Sequence, residues 1–113
     1  MRARAATPTV ARLIWTEPAL DDLDAVAEYI ALDNPAAAGL LVERVFGRVG
    51  RLVRFPKSGK RPAELLRTPY REVVVPPCRI FYRIDGHTVF ILHVMRAERL
   101  LRTFLLNERT PSK

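Results

Sequence analysis

The sequence predicts an α+β fold. An N-terminal strand leads into an antiparallel helical hairpin, which packs on a small, mostly antiparallel sheet (β-α-α-β-β-β) with a short C-terminal helix or tail. Three observations predict it. Residues 70–99, YREVVVPPCRIFYRIDGHTVFILHVMRAER, hold three short apolar runs separated by Pro76-Pro77 and Asp85-Gly86. β-Branched and aromatic residues bounded by turn formers mark strands. Residues 16–55 hold two stretches with helical spacing, broken at Asp33-Asn34-Pro35, and a short apolar run over 10–15 precedes them.

The first run, with Val10, Leu13, Ile14 and Trp15, reads as the opening strand. Thr16 can cap a helix, and Glu17-Pro18 suits a first turn. Asp21, Asp22 and Asp24 complement the positive end of that helix. Leu20, Leu23, Ala27 and Ile30 recur at helical spacing and are expected to be its buried stripe. Asn34 is a good N-cap and Pro35 fits the first position of a second helix, expected to run to about Phe55. Leu41, Val45, Val49 and Leu52 form its apolar stripe, and Arg44, Arg48 and Arg51 a basic one. Gly47 and Gly50 each cost about 1 kcal/mol relative to Ala in a helix interior. They are expected to let this helix approach the first one closely. The short turn makes the pair an antiparallel hairpin.

Residues 55–69, FPKSGKRPAELLRTP, read as a loop carrying Lys57, Lys60, Arg61 and Arg67. Two readings stand beside each other: a solvated connector, or a phosphate-contacting lip beside the sheet. The loop has no glycine-rich phosphate cradle. After Met95, Leu100, Leu101, Phe104 and Leu105 have helical spacing with arginines between them. This segment reads as a helix closing the core or an amphipathic tail that docks on a partner.

Asp85-Gly86 is a two-residue loop of the type a I′ hairpin needs. It sets an expected register in which Ile84 faces His87, Arg83 Thr88, Tyr82 Val89, Phe81 Phe90, Ile80 Ile91 and Arg79 Leu92. Side chains alternate faces along a strand. One face then carries Cys78, Ile80, Tyr82, Ile84, Val89, Ile91 and His93, and is expected to be the core face. The other carries Arg79, Phe81, Arg83, Thr88, Phe90 and Leu92. Its arginines either solubilise an outer face or belong to a working surface.

A chain of 113 residues suits one domain with one modest core. That domain is expected over residues 10–107, with 1–9 a flexible arm and 108–113 a disordered tail. No apolar run approaches the ~20 residues of a membrane span. The opening MRARAATPTVAR lacks the apolar region of a secretory signal. A single cysteine suits a reducing compartment, so a cytoplasmic location is expected. Cys78 reads as a packing residue. Two His and one Cys, far apart, give no metal-ligand spacing, and no cofactor is expected.

Net charge is +7. Residues 13–43 hold seven acids and no Lys or Arg, whereas residues 44–113 hold sixteen Lys or Arg and five acids. Solubility requires no such segregation. It points to an anionic partner, either nucleic acid or an acidic protein.

The order of strand, helical hairpin and three-strand meander resembles the ParE/RelE toxin superfamily. The stretches WTEPALDDLDAVAEY, FPKSGK, YREVVV, CRIFYRI and residues 89–99 carry the resemblance. It implies the toxin of a type II toxin–antitoxin system, neutralised by a small antitoxin from the same operon. RelE-like members cleave mRNA in the ribosome, and ParE-like members poison DNA gyrase and block replication. For a nuclease the resemblance implies Arg71, Arg79 and Arg99 around the scissile phosphate. The basic pair of the first meander strand is reduced here to Arg71, because Glu72 and Val73 follow it. No Tyr or His follows His93, so an obvious general base is lacking. The strand pattern and the VMRAER segment look more like ParE, although Arg96 stands where many relatives have His.

The expected function is therefore gyrase inhibition, with neutralisation by a ParD-like antitoxin in a heterotetramer or larger complex. Ribosome-dependent mRNA cleavage is the alternative. The expected gyrase- or nucleic-acid-facing surface is Arg79, Arg83, Arg96 and Arg99. Replacing Arg79 and Arg83 with Ala is expected to weaken toxicity and leave the fold intact. The expected antitoxin surface is Leu40, Arg44, Arg48, Arg51, Leu101, Phe104 and Leu105, covered by an acidic amphipathic segment.

Overall fold

The computed structural model describes residues 10–97, 101 and 103–111, and of 103–105 the backbone. Strand β1 (Arg12–Trp15) leads into helix α1 (Glu17–Ala31) and helix α2 (Pro35–Gly50). After 3-10 turns at Arg51–Val53, Pro56–Ser58 and Ala63–Leu65, the meander follows as β2 (Tyr70–Val75), β3 (Cys78–Asp85) and β4 (Thr88–Arg96). Helix α3 (Thr103–Arg109) closes the described chain. The sheet order is β1-β4-β3-β2, with β1 parallel to β4 and the other pairs antiparallel. This is the expected α+β architecture. The arm expected over residues 1–9 lies outside the described residues.

Local chemistry explains the helix boundaries. Asn34 caps α2 as expected, its side chain accepting from the Ala37 N–H at 3.0 Å, with Pro35 in the first turn. Thr16 stands at the N-cap of α1 but makes no side-chain cap. Its hydroxyl and its N–H both donate to the Ile91 carbonyl, at 2.7 and 3.0 Å, and so fasten the end of β1 to β4. Helix α2 ends at Gly50, before the expected Phe55, because the chain tightens into a 3-10 turn there.

The α2 stripe of Leu41, Val45, Val49 and Leu52 is fully buried against Ile80, Tyr82, Val89, Ile91 and Val94 of the sheet. On α1 the buried positions are Ala19 and Leu23, with Val26 and Ile30 packed beside them. Leu20, expected in that stripe, is exposed. A Cβ on Gly47 or Gly50 would meet open space, so neither glycine serves a close helix approach.

The β3–β4 hairpin departs from the expected register by two residues. Asp85 pairs with Thr88, Ile84 with Val89, Arg83 with Phe90 and Tyr82 with Ile91. The turn residues are therefore Gly86 and His87, with Gly86 at φ 61°. Gly in the first turn position is the II′ pattern. A I′ turn at Asp85-Gly86 would have forced Asp85 to positive φ, and among the described residues only Gly86 takes it. A shift of two preserves the faces as far as Ile91. A β-bulge then places both Leu92 and His93 against Phe81, and Val94 pairs with Ile80. The bulge moves His93 off the expected core face and puts Val94 there instead. The His93 ring stacks on Phe81 with centroids 5.9 Å apart.

The face expected to carry arginines and aromatics toward solvent is a second core. Leu65, Tyr70, Phe81, Leu92, Met95, Leu101 and Leu106 are buried together there, with Phe90 beside them. Helix α3 lies over this core and extends past residue 107, the expected end of the ordered domain. The Arg109 guanidinium donates to Asp22 Oδ2 at 2.6 Å and to the Leu92 carbonyl at 3.2 Å. The Tyr70 hydroxyl donates to Asn107 Oδ1 at 2.5 Å and lies 3.3 Å from Thr110 Oγ1. Long-range polar contacts of this kind override a tail composition that by itself suggests disorder.

Candidate functional site

Arg79 opens β3 and is the best-defined of the expected site residues. It is not free. Its Nε donates to Glu72 Oε1 at 2.8 Å, and its two terminal nitrogens donate to the Glu64 carboxylate at 2.9 and 2.8 Å. The Glu64 pair is bidentate, the strongest geometry for a guanidinium and a carboxylate. The guanidinium also lies 4.9 Å from the Phe81 ring centroid. Glu72 is only 3% exposed, and the Arg79 side chain 13%. Hydrogen bonds from Arg79 hold the Glu64 carboxyl down to about 2, against an ordinary 4.5. The two carboxylates in turn raise the Arg79 pKa. Glu64 comes from the 3-10 turn Ala63–Leu65, so this cluster ties the long loop to the sheet.

Arg71 points to the other face. On β2, Glu72 shares a face with Arg79, so its neighbour Arg71 turns toward the helix side. There its guanidinium donates to the Gly59 and Lys57 carbonyls at 2.8 and 3.3 Å. Arg71 and Arg79, expected to flank one phosphate, are thus separated by the sheet. Arg99 lies outside the described residues.

The expected target-facing arginines also divide. Arg83 lies on the Arg79 face, half-buried, with its buried Nε lacking a hydrogen-bond partner. Arg96, at the end of β4, lies on the opposite face, where its guanidinium sits 5.4 Å from the Tyr29 ring centroid on α1. The sequence suggested that replacing Arg79 and Arg83 together leaves the fold intact; the structure instead predicts a loss of stability, because the change strips a buried Glu72 of its partner.

The expected antitoxin surface is better assembled. Leu40, Arg44 and Arg48 follow one another along a single face of α2, and Arg51 opens the 3-10 turn that continues from it. Leu40 is 57% exposed. Arg44 and Arg51 are exposed and Arg48 is half-buried. Arg44 donates to the Pro76 carbonyl in the β2–β3 turn at 3.0 Å, which links the stripe to the meander. Tyr29 and Leu32, exposed at the end of α1, add apolar surface near the same end of the hairpin. Leu101 does not belong to this surface, because it is 7% exposed and packed in the second core. The side chains of Phe104 and Leu105 lie outside the described residues.

One polar cluster had no signal in the sequence. Asp22 Oδ2 accepts from the Val94 N–H at 3.1 Å and from Arg109, and lies 2.8 Å from His93 Nδ1. Burial acts to raise the Asp22 carboxyl, but hydrogen bonds from His93, Arg109 and Val94 outweigh it and leave the group below its ordinary range. Nothing distinguishes Asp22 from its acidic neighbours until α1 is placed on β4. Among the described residues, no group of three His, Cys, Asp or Glu could hold a metal ion, and no helix is long and apolar enough to cross a membrane.

A family model described as the ParE toxin of the type II toxin–antitoxin system parDE matches residues 13–101. The chain belongs to that family. It is 34% identical over 91 residues to Toxin RelE2 of Caulobacter vibrioides, covering 80% of this chain and 100% of the relative. It is 32% identical over 85 residues to Toxin ParE3 of the same organism, covering 74% and 84%. Among solved structures, it is similar to a chain of the chromosomal ParDE system from P. aeruginosa. The TM-score is 0.66 and the identity 26%, over 80% of this chain and 99% of that one. The protein is thus a type II toxin of the ParE/RelE superfamily, a class of toxins that pair with an antitoxin.

Proposed function

We infer that this ParE-family toxin inhibits DNA gyrase, stalls it on cleaved DNA and so blocks replication, with a ParD-like antitoxin as its neutralising partner. The observation that carries this reading is Arg79 held between Glu64 and Glu72. Two carboxylates around one guanidinium leave a local charge of −1, which repels a scissile phosphate instead of stabilising its transition state. Arg71 is engaged with loop carbonyls on the other face. The ParE family model adds support, since it spans residues 13–101. A RelE-like, ribosome-dependent mRNA nuclease is the alternative, favoured by the 34% identity to the relative named RelE2.

The antitoxin reads Leu40, Arg44 and Arg48 on α2, together with Arg51 just beyond it, through an acidic amphipathic segment. Arg83, Arg96 and Arg99 are assigned to the target, with Arg79 as the residue that keeps β3 and the loop in place beside Arg83. The test is a supercoiling assay with gyrase, ATP, relaxed plasmid and the purified chain. Loss of supercoiling with accumulation of linear cleaved DNA, reversed by the antitoxin, is the expected result. Undisturbed gyrase together with mRNA cleavage on translating ribosomes would replace this reading with the alternative.

A further inference from the structure

Between Glu43 and Glu64 the chain carries seven Lys or Arg and no acid. Midway along this segment stands Phe55, 62% exposed. It lines an open cavity of about 460 Å³ with Pro56, Lys57, Ser58, Ile84 and Gly86. Lys57 and the neighbouring Arg54 are exposed. Asp85, beside Gly86 at the hairpin end, is half-buried and already has an interaction partner. Lys57 thus brings a cation to the cavity lining, Arg54 adds a second one next to Phe55 in sequence, and the wall is mostly apolar.

The segment under this ring is fastened to the body. The Phe55 N–H donates to the Arg51 carbonyl at 3.0 Å, and the Ser58 N–H to the Phe55 carbonyl at 3.0 Å. The Tyr82 hydroxyl donates to the Pro56 carbonyl at 2.6 Å and accepts from the Gly59 N–H at 2.9 Å. Arg71 holds the Lys57 and Gly59 carbonyls from beneath. A Cβ on Gly59 would stand 2.5 Å from the Tyr82 hydroxyl oxygen, so the close approach needs glycine at that position. A large aromatic ring is thus presented to solvent on a backbone that is already ordered, which lowers the entropy lost on binding.

We propose that Arg54, Phe55 and Lys57 form a platform for a single strand of nucleic acid. One base stacks on the Phe55 ring at the cavity mouth, and the flanking phosphates meet Arg54 and Lys57. Cations around an exposed aromatic ring are the recurring arrangement for single strands, since every base has a face to stack. A duplex keeps its base faces stacked inside and cannot use the ring. An apolar protein surface would meet one ring bordered by charge instead of a broad apolar patch. The platform lies apart from Arg79 and does not depend on which target the toxin attacks.

The test measures binding of the full purified chain to fluorescein-labelled oligonucleotides. Its arms are single-stranded DNA, RNA of the same sequence, the DNA duplex and an abasic strand with the same number of phosphates. The base-bearing single strands are expected to bind most tightly, and the ratio of DNA to RNA affinity identifies the source of the strand. Phe55→Ala should lower affinity roughly ten-fold with its salt dependence unchanged, as expected for loss of one stacking contact. Arg54→Ala and Lys57→Ala should each flatten the slope of log K against log salt by about 0.7. Circular dichroism checks that each variant folds. Equal affinity for the abasic strand with no effect of Phe55→Ala, preference for the duplex, or no binding at low salt would each overturn the proposal.

Discussion

On the helix side of the sheet, Leu41, Val45, Val49 and Leu52 meet Ile80, Val89, Ile91 and Val94, and nearly all of this core is aliphatic. On the other side the apolar cluster formed by the described residues is half the size, and ion pairs border it. Arg79 joins Glu64 and Glu72 at one place, and Asp22 joins Arg109 at another, with His93 within hydrogen-bond distance of the same carboxylate. The first core follows from non-directional burial and needs only the correct faces. The second depends on charge pairs whose partners lie up to 87 residues apart in sequence. Apolar packing therefore fixes the body of the toxin, while directional contacts hold the elements that cover its second face.

The largest effect should come from breaking the charged side. Arg79→Met leaves Glu72, 3% exposed, without its partner. It should destabilise the chain by about 3–5 kcal/mol in urea denaturation. The double variant Arg79→Met with Glu72→Met should recover most of that loss, because the uncompensated buried charge is then gone. A double variant as unstable as the single one would show that Arg79 matters through packing alone.

Cavity formation on the aliphatic side comes next. Leu41→Ala removes a side chain that is 1% exposed and should cost about 2–4 kcal/mol. Its loss should not vary with pH, since it removes only apolar contacts.

Acid titration sharpens the contrast further. The folded-state pKa of Glu64 lies near 2, below its ordinary 4.5. A depressed carboxylate contributes stability above the unfolded value and loses it as pH falls through the folded one. Asp22 is shifted in the same direction. Stability of the chain should therefore decline from about pH 4.5 toward pH 2, and Glu64→Gln should flatten part of that decline. A pH profile unchanged by Glu64→Gln would remove this pair from the stability argument.

The smallest effect is on the helix side. A Cβ on Gly47 meets open space, so Gly47→Ala should stabilise the chain by about 0.5–1 kcal/mol through helix propensity alone. A thermal melt shifted downward would mean that the added methyl meets something in the folded chain.

The element order, the breaks at Asn34-Pro35 and Pro76-Pro77, and the α2 stripe were all legible in the amino-acid order. Each rests on short-range rules: helical spacing, turn chemistry and capping. That order also separated an acidic α1 from a basic second half, which pointed to an anionic partner. The tertiary structure alone decided the rest. The turn at Gly86-His87 and the bulge at Leu92-His93 moved His93 off the helix side, since register depends on a whole pair of strands. Packing of the Ala63–Leu65 turn on the sheet converted Arg79 from an exposed cation into the centre of an ion cluster. Placement of α1 and α3 on β4 brought Asp22 to Arg109. A linear pattern shows that a charge exists. Only the folded chain shows which opposite charge stands within 3 Å of it.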